Sequence, residues 1–137
     1  MAQIKISAGR YSFIAKMEEE KAPRTCEAFK ALLPWKTQII HVRWSGCAMW
    51  APLGDFHVGF GNENHTSYPS KGEILFYPGG LSETEILIPY DSCIFSSRVG
   101  LLAGNHFLTI ERDLDVLAKL GNEILWTGAK ELLFEFA

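Results

Sequence analysis

Short stretches in which apolar and polar residues alternate run through most of the chain. At the N-terminus Ile4 and Ile6 are separated by Lys5, residues 7–10 can form a turn, and residues 11–17 alternate again. Successive side chains of a strand point to opposite faces, so a period of two indicates strands with one buried face. The pattern predicts an N-terminal β-hairpin.

Two segments change to helical spacing. In residues 21–34, Pro23 suits the first turn of a helix and Pro34 ends the pattern. Between them, helical spacing relates Cys26, Phe29, Leu32 and Leu33. A second helix is predicted over residues 114–121, with Asp113 as its N-cap and Gly121 closing its C-terminal end. Residues 122–126 add a short turn of helix.

The remaining apolar stretches are short, rich in β-branched or aromatic residues, and bounded by Gly, Pro or Asp. They predict strands over residues 37–46, 47–52, 72–80, 84–90, 93–100, 105–112 and 130–137. The last strand can pair with the first, and such closure removes the exposed edges of a sheet. We therefore expect a mostly β single domain over residues 1–137, a closed barrel of about eight strands with two short α-helices. Residues 59–71 form the longest irregular segment and are expected at its rim.

Composition excludes several classes of function. The chain has 137 residues, 47% hydrophobic and 21% charged, which is typical of one globular domain. Its net charge is −3 and its basic residues are scattered, which argues against a nucleic-acid partner. No apolar run reaches the roughly 18 residues that cross a bilayer, and the N-terminus lacks the pattern of a secretory signal. A cytoplasmic protein with no membrane partner is expected.

Cysteine and histidine spacing gives no sign of a metal or cofactor site. The three cysteines, an odd number, lack a C-x-x-C spacing, so reduced buried thiols are expected. The four histidines never occur two or four residues apart. No phosphate-binding loop or nucleophile elbow is present either. The sequence therefore predicts neither a bound metal nor a cofactor.

Several segments carry a resemblance to known families. The first helix, with "APRTCEAFKALL", and the strand that follows it resemble the start of the cyclophilins. The segments "RWSG", "YPGG", "SETEI" and "AGNHF" are similar to those of a bacterial family of uncharacterised proteins with a cyclophilin-like fold. This resemblance covers the whole chain and implies a closed cyclophilin-like β-barrel. It implies little about activity, because fold alone does not specify function.

Arg43 is the candidate catalytic residue that the resemblance implies. True cyclophilins place an arginine on the strand after the first helix, where it polarises the amide bond next to proline. Here His41 stands where those enzymes have Phe, and residues 47–56 contain no glutamine. Peptidyl-prolyl isomerase activity is therefore one alternative. In the other, Arg43 is an exposed strand residue whose stem covers Trp44.

Glu85 directly precedes an apolar run. Alternation along residues 83–90 places Glu83, Glu85 and Leu87 on one face of a strand. If that face points into the barrel, Glu85 lies near the rim and needs a partner such as Arg43, because an isolated buried charge is costly. If the register shifts by one residue, Glu83 and Glu85 form a solvated strand end.

These residues suggest a small polar site with aromatic walls. Asn105 and His106 could orient a polar ligand, and aromatic side chains could bound it. The predicted ligand-binding residues are Arg43, Trp44, Tyr77, Glu85, Asn105, His106 and Phe107, with Phe76 as a further wall. No metal ligand is among them.

Three functions are compatible with this pattern. The first is a barrel that binds a small polar metabolite bearing a carboxylate or an amide. The second is an enzyme at the same site, either a prolyl isomerase or one acting on a small amide or carboxylate, which would need a shifted pKa at Glu85 or His106. The third is a protein-interaction or homo-oligomeric module, with residues 59–71 and the tryptophans Trp35, Trp44 and Trp50 forming an apolar contact surface.

Overall fold

The structure, a computed structural model, describes residues 2–137 and contains eleven strands and two helices. The strands are β1 (Gln3–Ala8), β2 (Tyr11–Met17), β3 (Trp35–His41), β4 (Gly46–Gly54), β5 (His65–Thr66), β6 (Glu73–Tyr77), β7 (Thr84–Cys93), β8 (Ser96–Ser97), β9 (Gly100–Leu101), β10 (Gly104–Ile110) and β11 (Lys130–Phe136). The helices are α1 (Pro23–Lys30) and α2 (Leu114–Thr127).

Eight of these strands close into an antiparallel barrel. Their order is β2-β1-β11-β3-β4-β7-β6-β10, and β10 pairs back onto β2, with Ile110 opposite Ala15. The first and last strands pair as expected, with Ile6 opposite Phe134. Two-residue β5 extends the sheet beside β10, and β8 and β9 form a separate two-stranded hairpin. The predicted mostly β, closed eight-stranded barrel with two helices is confirmed.

The predicted helix boundaries need correction. Helix α1 ends at Lys30, short of the Leu32 and Leu33 assigned to it. Helix α2 does not stop at Gly121 but continues to Thr127. Gly121 lies inside α2, where only glycine fits, because a Cβ atom there would collide with the ring of Tyr90. Asp113 precedes α2 as predicted, but its side chain makes no capping hydrogen bond.

The barrel wall has a separate apolar core on each of its two sides. The main core fills the barrel with residues such as Ile4, Phe76, Ile86 and Phe134, and α1 and α2 pack against it. A smaller core, here called the outer cluster, lies on the opposite face of β4, β6 and β7. Its buried members are Ala48, Leu75, Tyr77, Leu87, Phe95 and Leu102.

The two cores show which face of β7 points into the barrel. Ile86 and Ile88 belong to the main core, whereas Leu87 belongs to the outer cluster, so the Leu87 face points away from the barrel interior. The condition under which Glu85 would point into the barrel is therefore not met, and Glu85 is not a solvated strand end either, because it is buried on the outer face. Residues 94–102 cover this outer face, which is why β7 is buried on both sides from Thr84 to Tyr90.

Within residues 2–137, neither helix is long and apolar enough to cross a membrane.

Candidate functional site

A cavity of about 350 Å³ lies on the outside of the barrel wall, next to the outer cluster. Its walls come from the end of β3 and the β3–β4 turn, from the turn before β7, and from the β8–β9 hairpin. The residues that border it are Ile40, His41, Val42, Arg43, Trp44, Ser45, Trp50, Ser82, Glu83, Glu85, Ser96, Ser97 and Arg98. It brings together Arg43, Trp44 and Glu85 of the predicted site.

Glu85 supplies a buried carboxyl group to this cavity. Its side chain is only 5% exposed. In the sheet it is flanked by Pro52 of β4 and Tyr77 of β6, and Leu87 follows on the same face. Burial in these surroundings, and secondarily the negative charge of Glu83, raises the pKa of Glu85 to about 8. Neither a hydrogen bond nor an opposite charge contributes to this shift.

Two arginines from different turns border the same cavity. Arg43 lies in the β3–β4 turn and not on a strand as predicted, because β3 already ends at His41. Arg98 lies in the β8–β9 hairpin, and both side chains are exposed. Among residues 2–137, the six ion pairs involve other residues, so the expected Arg43–Glu85 pair is not formed. Both guanidinium groups are therefore open to an anionic or carbonyl oxygen.

Two tryptophans provide the apolar surface of the cavity. Trp44 follows Arg43 in the β3–β4 turn and is 58% exposed. Trp50 is half-buried on β4, opposite Leu87 of β7, and packs against the outer cluster. A cavity with aromatic surface and a few charged groups has the composition of a small-molecule site.

Hydrogen bonds to Ser45 hold the β8–β9 hairpin in place as one wall of the cavity. The Oγ of Ser45 donates to the carbonyl oxygen of Ser96 and accepts from its N–H, both at 3.0 Å. The N–H of Ile94 donates to the carbonyl oxygen of Ser45 at 3.0 Å. Phe95 anchors the segment by inserting into the outer cluster, edge-on to Tyr77 with ring centroids 5.7 Å apart.

Tyr77 supports the site from below and does not line it. Its hydroxyl accepts hydrogen bonds from the N–H groups of Leu81 at 3.0 Å and Ser82 at 3.3 Å. These bonds position the turn that leads to Glu83 and into β7. Tyr77 was predicted to contact the ligand. In the structure it is buried in the outer cluster and holds the turn that borders the cavity.

The other predicted site residues lie elsewhere. Asn105 is fully buried, and its side chain joins α1 to the 59–66 loop: it donates to Thr25 Oγ1 (3.0 Å) and Gly61 O (2.9 Å) and accepts from the N–H of Glu63 (3.1 Å). His106 bonds Thr109 Oγ1 at 2.7 Å. Phe107, like Phe76, is buried inside the barrel. The structure does not bring these residues to the cavity.

Sequence reasoning missed several residues of the cavity. Arg98 sits in a short segment bounded by Gly100, and only the fold of that segment over β7 brings it to the site. His41 borders the cavity, but both ring nitrogens have partners, Nδ1 with the carbonyl oxygen of Val42 (2.8 Å) and Nε2 with the hydroxyl of Tyr90 (2.7 Å). Among residues 2–137, no three His, Cys, Asp or Glu side chains converge as metal ligands.

Comparison with known proteins gives a family and a fold. The family model of DUF3830, a protein family of unknown function, matches residues 4–136. No curated protein matches the sequence.

Two solved structures share the fold. McbB, determined in complex with tryptophan, superposes with a TM-score of 0.71 over 97% of this chain at 18% identity. The chain spans only 44% of the length of McbB. The hypothetical protein AF2241 from Archaeoglobus fulgidus gives a TM-score of 0.62 at 16% identity, over 99% of this chain and 95% of AF2241.

Proposed function

We propose that this chain, which belongs to the DUF3830 family of proteins of unknown function, binds a small molecule in the cavity beside Glu85. The family has no assigned activity, and the chemistry of the cavity is what supports this function.

The unpaired carboxyl group of Glu85 carries the proposal. Its oxygen atoms are not sealed off from solvent: within residues 2–137 the buried side-chain oxygen that lacks a hydrogen-bond partner belongs to Glu19, so the Glu85 oxygens reach the open space of the cavity. Glu85 is 5% exposed, and no hydrogen bond contributes to its pKa, although it borders a cavity large enough for a small ligand. A ligand in the cavity can therefore hydrogen-bond directly to this carboxyl group.

The remaining walls indicate the chemistry of the ligand. Arg43 and Arg98 can bind a carboxylate or carbonyl oxygen, since guanidinium groups recognise such oxygens with two parallel hydrogen bonds. Trp44 and Trp50 offer aromatic surface to a flat apolar part. We therefore infer a ligand of modest size with a carboxylate or an amide, a hydrogen-bonding group for Glu85, and a planar portion.

A structural neighbour supports this class of ligand. McbB, which shares the barrel fold, was determined with tryptophan, a molecule that combines a carboxylate, an amino group and a flat ring. Tryptophan and related aromatic amino acids are accordingly the first compounds to test, followed by small carboxylates, amides and hydantoins.

A thermal-shift screen tests the proposal. A ligand present at 100 times its dissociation constant stabilises a protein by about 2.7 kcal/mol, a shift of several degrees for a domain of this size. We expect at least one compound to shift wild type, with the shift lost in Arg43→Ala and reduced in Glu85→Gln. Arg24→Ala and Glu131→Gln, exposed and outside the cavity, are the matched controls. A panel without any hit, or hits unchanged in Arg43→Ala, would contradict the proposal.

Two alternative functions, a prolyl isomerase and a protein-contact module, each have a test of their own. A proline-containing peptide in the panel, followed by a cis–trans isomerisation assay, tests whether Arg43 serves a prolyl isomerase. A homo-oligomeric or protein-contact function is favoured by exposed apolar side chains on α2, above all Trp126, which is 84% exposed, and Leu125. Light scattering of wild type and Trp126→Ser tests that alternative.

A further inference from the structure

The surroundings of Glu85 suit proton transfer as well as binding. Its neighbours in the sheet, Pro52, Tyr77 and Leu87, exclude water from one side of the carboxyl group, and the cavity lies on the other. A carboxylate that has lost its hydration accepts a proton more readily, since its charge is no longer stabilised by solvent. A bound molecule in the cavity would be the group that exchanges the proton.

The other charged groups around the cavity leave Glu85 as its acid–base group. Glu83, from the turn before β7, is exposed, and His41, from the end of β3, has both ring nitrogens in hydrogen bonds. Arg43, from the β3–β4 turn, and Arg98, from the hairpin, offer hydrogen-bond donors and no acceptor. Among the residues that border the cavity, no other group combines burial with freedom to exchange a proton.

We propose that Glu85 acts as a general base toward the bound molecule, removing a carbon-bound proton whose loss places negative charge on an oxygen atom near Arg43 and Arg98. This deepens the proposed function and rests on it. Carbon acids next to a carbonyl or carboxylate group belong to this substrate class. Arg43 and Arg98 would stabilise the developing oxyanion, as positively charged donors do in a site with little water.

The step balances without another reactant. The carboxylate of Glu85 takes the proton, the electron pair of the broken C–H bond forms a new π bond at that carbon, and the displaced electrons move to the oxygen. Return of the same proton to another position of the product regenerates the Glu85 carboxylate. The reaction class is therefore isomerisation within one molecule, with no oxidant or reductant.

The burial of Glu85 supports this role near neutral pH. With a pKa of about 8, both the acid and the base form are populated at pH 7–8. A general base is most effective when its pKa lies near the working pH.

A benzisoxazole bearing a nitro group is the probe for this activity. When a base removes its ring C–H proton, a nitrile forms, the N–O bond breaks and a coloured phenolate is released, so one absorbance reading reports proton abstraction. We expect turnover by wild type, a loss of about 100-fold or more in Glu85→Gln, and no change in Glu131→Gln. The rate should rise with pH and level off above pH 8. Arg43→Ala should lower the rate by about tenfold, because an exposed donor contributes less than a buried one.

Binding of the same probe is measured separately, by quenching of tryptophan fluorescence. Glu85→Gln is expected to fold, since Gln matches the size of a neutral Glu side chain, and its thermal unfolding checks this. Binding without Glu85-dependent turnover would overturn the inference and leave the proposed binding function standing. Absence of both binding and turnover would overturn the inference, whereas the proposed binding function stands or falls with the thermal-shift screen. A rate that keeps rising beyond pH 9 would assign the reaction to a surface lysine, with its pKa of about 10.4, and would overturn the role of Glu85.

Discussion

Ser45 and Ser96 exchange two hydrogen bonds through one side chain: the Ser45 hydroxyl both donates to the Ser96 carbonyl oxygen and accepts from the Ser96 N–H, each at 3.0 Å. This contact joins the β3–β4 turn, which carries Arg43, to the β8–β9 hairpin, which carries Arg98. Two arginines far apart in sequence thereby border one cavity.

Ser45→Ala should loosen the hairpin and weaken ligand binding. Loss of the hydroxyl leaves the N–H and carbonyl group of Ser96 without their partner, which costs about 1–3 kcal/mol. Urea unfolding measures this loss, and titration with a screening hit measures the affinity. Ser12→Ala, exposed on β2, is the control and should change neither. Unaltered affinity in Ser45→Ala would show that the hairpin is not a wall of the binding site.

Gly121→Ala should destabilise the protein, although alanine is the better helix former by about 1 kcal/mol. A methyl group at Gly121 would collide with the ring of Tyr90, which is held by its hydrogen bond to His41. Overpacking of this kind costs about 1–3 kcal/mol. Thermal unfolding checks the sign. Asn122→Ala, at the exposed next position of α2, should stay within about 0.5 kcal/mol of wild type. A stabilised Gly121→Ala variant would contradict the close approach.

Asn105→Ala should lower stability without affecting the cavity. Asn105 makes three hydrogen bonds that tie α1 to the 59–66 loop, and its loss leaves buried partners unsatisfied at a cost of about 2–3 kcal/mol. We expect a lower urea midpoint. The affinity for a screening hit should stay within about twofold of wild type when both proteins are measured at one temperature at which both are folded. Asn62→Ala, exposed in the same loop, is the control. Loss of binding in Asn105→Ala would place this residue at the site after all.

Glu85 should make stability fall as pH rises. Below pH 4.5 its carboxyl group is protonated in both the folded and the unfolded chain, and the full stability is present. Between pH 4.5 and about 8 the unfolded chain releases the proton while the folded chain keeps it, so the free energy of unfolding decreases and then levels off. The decrease is on the order of a few kcal/mol.

Urea unfolding of wild type and Glu85→Gln, at about pH 5 and about pH 9, isolates this effect. The variant cannot ionise at this position, so its stability relative to wild type should be greater at the higher pH. Equal pH dependence in the two proteins would mean that Glu85 has an ordinary pKa in the folded state.

Local patterns predicted the barrel but not the face of β7 that borders the cavity. The N-terminal hairpin, α1 and the pairing of the last strand with the first follow from periodicity and turn residues alone. In residues 84–90, however, both faces are buried, because the barrel interior covers Ile86 and Ile88 and the outer cluster covers Leu87. Alternation cannot distinguish two covered faces, and the outer one is covered by residues 94–102, whose packing over β7 the local pattern does not show.

Long-range contacts explain the other differences. Gly121 has the sequence context of a helix end, yet its small size serves the contact with Tyr90. Asn105 has the donor and acceptor groups of a binding residue, and these groups are used to hold the 59–66 loop. Arg98 reaches the cavity only through the contact of its hairpin with Ser45. Each of these roles depends on a partner distant in sequence.

The protonation of Glu85 is the property on which both binding and proton transfer depend. The most direct test is an NMR titration of its side-chain carboxyl carbon in the ligand-free protein, assigned by comparison with Glu85→Gln. We expect a midpoint of about 8, because the carboxyl group is buried and no opposite charge lowers its pKa. A midpoint near 4.5 would show that the group is solvated or paired, and would contradict the account.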